Sequence, residues 1–152
     1  MSSSPPEPAL GLDAAILCDA ATVREGLLHI LGGGITRIWR RELPAPMGLT
    51  LALLVRVPQD LARVPHEIRV ELRDGEGVQV ALSVTSFLLP PGIPVEPGES
   101  LKTAIPVSLQ AVPLGHFGRH TATIQLDGIV ARTEEFWLLH EDERRLPPIN
   151  AV

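Results

Sequence analysis

At 152 residues the chain is long enough for one domain that buries its own core without a disulfide or metal staple. Its formal net charge of −5 argues against a nucleic-acid partner, whose binding face is usually basic, and its single cysteine, Cys18, excludes an intramolecular disulfide. No apolar run approaches the roughly 20 residues that span a bilayer, and MSSSPPEPALG at the start has neither the basic nor the apolar region of a secretory signal. A cytoplasmic protein with no membrane contact is the expectation.

Residues 1–11, rich in Ser and Pro, predict a flexible, partly extended tail. The run Ala14 to Val23 admits two readings. Its alanines allow a helix with Asp13 as N-cap. The alternative is a strand over Ala14 to Ala20, a turn at Arg24-Glu25-Gly26 and a strand over Leu27 to Leu31. The turn signal and the apolar run beyond it favour strands. Gly32, Gly33 and Gly34 then predict a bulge or tight corner. A strand resumes over Ile35 to Arg41 and ends at Leu43-Pro44-Ala45-Pro46.

Met47 to Val57 is the cleanest strand. After a polar connection at 58–65, Glu67 to Arg73 and Val78 to Phe87 read as a hairpin across Asp74-Gly75-Glu76-Gly77. Leu88 to Gly98 holds four prolines and two glycines, which suits a crossover between sheets rather than a strand. Lys102 to Leu109 follows. His120 to Leu126 and Ala131 to Leu139 form a second hairpin at Asp127-Gly128. Residues 141–152, charged and Pro-containing, read as a second flexible tail, so the domain spans 12–140.

Four of these runs alternate apolar and polar residues. Leu49, Leu51, Leu53, Val55 and Val57 oppose Thr50, Ala52 and Arg56. Ile68, Val70 and Leu72 oppose Glu67, Arg69, Glu71 and Arg73. Leu101, Ile105, Val107 and Leu109 oppose Lys102, Ser108 and Gln110. Ala122, Ile124 and Leu126 oppose Thr121, Thr123 and Gln125. A period of two gives each strand one buried and one wet face. That predicts an all-β, antiparallel Greek-key β-sandwich, immunoglobulin-like in style, of about seven to nine strands.

Three segments carry a resemblance: AILCDAATVREGLLHILGGGITRI (14–38), LALLVRVP (51–58), and VPLGHFGRHTATIQLDG (112–128) with the strand reaching Phe136. Together they resemble a family of uncharacterised bacterial β-sandwich proteins. The resemblance implies strands rather than a helix over Ala14 to Val23. It implies no catalytic or binding residue.

The chemistry-bearing residues do not assemble into a motif. Gly32–Gly34 lack the spacing, the Lys-Ser/Thr pair and the following helix of a phosphate loop. His116 and His120, the one close histidine pair, are about 13 Å apart along a strand, too far for a shared metal, and read as a solvated loop pair. Cys18 reads as a small buried hydrophobe without an activating neighbour. No G-x-S-x-G elbow or calcium loop occurs, and Glu134-Glu135 read as a wet strand face. No metal, cofactor or catalytic residue is expected.

Trp39, Arg40 and Arg41 form either a contact patch at a strand end or a rim Trp with solvated arginines. Leu54 lies on the polar side of its strand, and Trp137 alternates with Phe136 and Leu138. Those two strands are apolar on both faces, and one core covers only one face of each. The second face must meet a loop, the Leu88–Gly98 crossover, a tail or another subunit. Trp39, Arg40, Arg41, Leu54 and Trp137 are therefore the candidate partner contacts. The expectation is a non-catalytic binding or assembly module for a protein partner or for itself, as a homodimer. The alternative is a ligand-binding or enzymatic site built from the loops at Gly32–Gly34, Leu88–Gly98 and Leu114–Arg119.

Overall fold

The computed structural model describes residues 9–144. The tail assignments for residues 1–8 and 145–152 lie outside the described residues. The strands are β1 (Gly11–Arg24), β2 (Leu27–Gly33), β3 (Arg37–Arg40), β4 (Ala45–Pro46), β5 (Thr50–Val57), β6 (His66–Arg73), β7 (Gln79–Phe87), β8 (Leu101–Ser108), β9 (Pro113–Leu114), β10 (Gly118–Leu126) and β11 (Ile129–His140). One sheet has the order β2-β1-β5-β8, a second β3-β11-β10-β6-β7, and β4 pairs with β9 as a two-residue bridge. Ala14 to Val23 is strand throughout, so the propensity of its alanines yields to tertiary pairing with β5.

Beyond small shifts at strand ends, three features differ from the sequence expectation. β1 runs on to Arg24 and starts at Gly11, which the reading placed in the tail; the turn uses only Glu25 and Gly26. Both have positive φ, 52° and 75°, the geometry of a two-residue hairpin turn that follows strand twist. The β4–β9 bridge was not legible, because two-residue pairings carry no periodicity. The five-stranded sheet is mixed rather than antiparallel, since β3 runs parallel to β11. Nearly 100 residues separate these two strands, so no hairpin constrains their direction.

The buried side chains of both sheets form one cluster. Leu51, Leu53, Val55 and Val57 on β5 are at most 1% exposed, as are Ile68, Val70 and Leu72 on β6. Ala122, Ile124 and Leu126 on β10 join them, with Phe136 and Leu138 on β11. Each such side chain contributes about 1.5–3 kcal/mol of burial. The crossover at 88–100 joins β7 of one sheet to β8 of the other. It packs over the short turn Gln59–Leu61, where Gln59 Nε2 donates to the Glu96 and Glu99 carbonyls at 2.6 and 2.8 Å.

Gly34 makes the corner out of β2: its N–H and that of Ile35 both donate to the Leu17 carbonyl at 3.0 Å. Gly32, with φ 64°, lies within the β1–β2 ribbon, where a Cβ would overlap the Asp19 carboxylate.

Candidate functional site

Pairing assembles a surface that the one-dimensional pattern conceals. On the outer side of the four-stranded sheet, Leu54 of β5 lies between Ala14 of β1 and Ala104 of β8. One step along, Ala52 lies between Ile16 and Pro106. These six side chains point away from the core face that holds Ala15, Leu51, Leu53 and Ile105. The outer side of β5 is thus apolar at its centre, not polar. Ala52 is fully buried and Thr50 nearly so. At one end of this strip Asp13, in a β-bulge, receives Arg56 Nη1 at 2.7 Å and Lys102 Nζ at 3.1 Å.

The strip continues onto an arm. β1 pairs with β5 only as far as Cys18. Beyond it, Asp19 to Arg24 pair with β2 alone, as a two-stranded ribbon. Leu27 and Leu31 project from that ribbon 64% and 69% exposed, with Val23 at 41%. An isolated two-stranded ribbon is marginal in water unless an apolar face is covered. Sequence reasoning found Leu54 but missed Ile16, Ala104 and Pro106, which are remote from it in the chain. The available signal was the absence of any polar residue from Ala14 to Leu17.

The other candidate contacts fall elsewhere. Trp39 and Trp137 share the outer face of the five-stranded sheet, on the opposite side of the molecule's core from Leu54. Arg40 is engaged within the fold: its guanidinium donates to the carbonyls of Trp39, Pro46 and Met47 at 2.9, 3.3 and 2.8 Å. Arg41 is exposed and paired with Glu141 at 3.3 Å. The structure therefore groups Trp39 with Trp137 and separates both from Leu54.

Several titratable residues are engaged within the fold. His66 is buried, with Nδ1 2.7 Å from Asp127 Oδ2 and Nε2 2.7 Å from the Leu61 carbonyl. Both ring nitrogens therefore face oxygen atoms of the protein itself, which ties the ring to two neighbouring segments. His116 is exposed, whereas His120 is a core residue, 1% exposed and stacked on Phe136 at 5.1 Å. The solvated pair is thus corrected: the inward face of β10 takes His120. Cys18 is fully buried and its Sγ donates to the Thr50 carbonyl at 3.3 Å. Burial pushes its thiol up, and the Asp19 carboxylate adds to the effect, which disfavours the thiolate. Glu135 pairs with Arg119 at 2.8 Å.

Two cavities touch the Gly32–Gly34 and Leu88–Gly98 loops that the sequence singled out. One of about 140 Å³ is lined by residues of both sheets, among them Leu17, Gly34, Ile35, Met47, Glu134 and Phe136. Another of about 420 Å³ lies under the crossover, lined by Gln59, Arg63, Leu89, Pro90 and Leu101. Among the described residues no three His, Cys, Asp or Glu side chains converge on a common point.

Fold and surface together define an all-β domain that exposes several large apolar side chains. The chain belongs to a family of unknown function, DUF6941, whose model matches residues 13–136. The resemblance to an uncharacterised family agrees with that membership. No curated protein matches the chain. Among solved structures it is similar to a Pseudomonas fluorescens alkylpurine DNA glycosylase, AlkC, bound to DNA containing an abasic site analog. The identity is 11% and the TM-score 0.45, over 87% of this chain and 31% of that one. It is also similar to a Listeria innocua β-glucosidase in complex with isofagomine, at 13% identity and TM-score 0.36, over 60% of this chain and 14% of that one. The chain spans less than a third of either protein's length. Among the described residues no helix is long and apolar enough to cross a membrane.

Proposed function

We propose that this chain is a non-catalytic assembly module that associates with a second copy of itself. The contact surface is the apolar outer face of the four-stranded sheet together with the β1–β2 arm. The observation that carries the reading is that the half-buried Ile16 and Leu54 lie on the same side of the sheet as the exposed Leu31 of the adjoining arm. Small side chains at Ala14 and Ala104 flank Leu54 and leave room for a second sheet to approach to about 10 Å. A two-fold pairing places the same strip on both partners and closes the assembly. In the same reading the two sheets are those of an immunoglobulin-like, Greek-key sandwich, and the protein is bacterial and cytoplasmic.

Light scattering on the full chain at micromolar concentration tests it. The expected mass is twice the 16.4 kDa chain mass. Leu31→Lys, at a 69% exposed position, should shift the mass to the monomer without loss of the fold. A monomer mass for the unaltered chain that does not change with concentration overturns the reading.

A further inference from the structure

The edge of a sheet leaves a row of backbone N–H and C=O groups open to any strand that can reach it. Four strands hold such edges here: β2 and β8 in one sheet, β3 and β7 in the other. Three of them carry features that resist a further strand. β8 holds Lys102 and Pro106, β2 ends on Gly32 and Gly33, and β3 is four residues long with an arginine at each end. β7 has one irregularity, a bulge before Ala81, and pairs with β6 in unbroken register from Ala81 to Phe87. From Val78 to Leu89 the chain has no charged residue, no glycine and no proline. Among the described residues β6 is the only strand that pairs with β7. Ser83 and Thr85 share the inward face with the buried Val70 and Ile68 of β6, yet both are only half-buried. On the outer face Leu82 and Val84 are 43% and 49% exposed.

We propose that β7 pairs edge to edge with β7 of a second copy, antiparallel about a two-fold axis normal to the sheet at Ser83. The two five-stranded sheets then form one continuous sheet with both cores on the same side. The edge is complementary to itself in this register. Leu82 of each copy meets Val84 of the other, so the two exposed apolar residues cover each other twice, a cross-strand pairing that stabilises a sheet. Ala81 meets Thr85, and Ser83 meets its own equivalent. Every side chain stays on its original face, because the paired positions differ by an even number. Moving the axis to Val84 would set Leu82 against Ser86 and lose the apolar match. Charge agrees with the register. Leu82 lies beside Glu71 of β6 and Val84 beside Arg69, so each row across the joint begins on a carboxylate and ends on a guanidinium. The two-fold uses the same edge on both copies and closes the assembly at two. A single strand pair is a small contact, below the roughly 1,000 Å² of a stable interface, so this association is weak and is best read by covalent trapping.

Disulfide trapping in the full chain tests the proposal. Ser83→Cys places two thiols across the joint at a Cβ separation of about 4.5–5.5 Å, near the distance a disulfide spans. Ser86→Cys is the control, because in this register the two copies of position 86 lie about 20 Å apart along the strands. Cys18 is fully buried and does not compete. Under oxidised glutathione Ser83→Cys should form a covalent dimer, and Ser86→Cys should stay at the monomer mass. Adding Leu82→Lys, whose neighbour on β6 is Glu71, should abolish the dimer with the far-ultraviolet circular dichroism unchanged. Absence of a Ser83→Cys dimer overturns the proposal, as does equal cross-linking at position 86 or a dimer that survives Leu82→Lys. Trapping in the Leu31→Lys background separates this joint from association through the four-stranded sheet. A Ser83→Cys dimer there upholds the edge pairing even where the other contact fails, and its loss there overturns the edge pairing as a contact of its own.

Discussion

His66 ties three segments at one point: β6 through its backbone, the Gln59–Leu61 turn through the Leu61 carbonyl, and the β10–β11 turn through Asp127. Asp127 Oδ1 also accepts from the Glu67 N–H at 2.9 Å, so the turn is held twice. His66→Ala strands the Leu61 carbonyl and should cost roughly 1–3 kcal/mol, read from the urea midpoint. Cys18 supplies a different prediction. Its folded pKa is raised, by burial first and then by Asp19. The folded chain therefore holds the thiol proton to higher pH than the unfolded chain does. The resulting stabilisation is present in full below the ordinary thiol pKa. It is lost as pH rises from there through the raised folded value. Unfolding of the native chain and of Cys18→Ala across that alkaline range should show a decline in the first and a flatter profile in the second.

At the scale of elements, the β1–β2 arm is the part least supported by the core. Its turn places Glu25, a residue with a Cβ and no local acceptor role, at φ 52°. The equivalent turn between β10 and β11 uses Asp127 and Gly128, at φ 49° and 80°, which suit the left-handed region better. Glu25→Asn should therefore stabilise the arm by about 0.5–1 kcal/mol. Thermal unfolding of the pair of proteins measures it. The Asp74 turn shows the same local logic, since its Oδ1 accepts from the N–H groups of Glu76 and Val78 at 2.9 and 3.0 Å. β3 and β7, the edges of the mixed sheet, differ in protection. β3 is four residues long, a short edge of the kind that resists further pairing. β7 is nine residues long and shows Leu82 and Val84 at 43% and 49% exposure.

For the whole molecule, one core serves two sheets whose outer faces differ. The four-stranded sheet presents small apolar residues, and the five-stranded sheet presents paired charges such as Arg119–Glu135 and Arg73–Glu71 beside its tryptophans. Self-association through the first face makes stability a function of concentration. The unfolding temperature should rise with protein concentration for the native chain, by mass action, and stay constant for Leu31→Lys. Calorimetry over a hundredfold concentration range makes that comparison.

Local chemistry alone determined the hairpins and the core faces of β5, β6, β8 and β10. Asp-Gly and Glu-Gly turns and the period of two act between near neighbours, so they are legible without the fold. For the same reason Leu51, Leu53, Ile68, Val70 and Ile124 were identifiable as core. The outer face of β1, β5 and β8 was decided by pairings such as Ile16 with Ala52 and Ala52 with Pro106, over separations that no sequence period reaches. Ala104 and Pro106 break the alternation of their strand weakly and acquire meaning only beside Leu54 and Ala52. Trp39 and Trp137 are nearly 100 residues apart and meet only because β3 runs parallel to β11. His120 sits in the same kind of alternating run as its neighbours, yet its burial against Phe136 required the register of β10 on β11. Packing across sheets, rather than propensity along the chain, made these assignments.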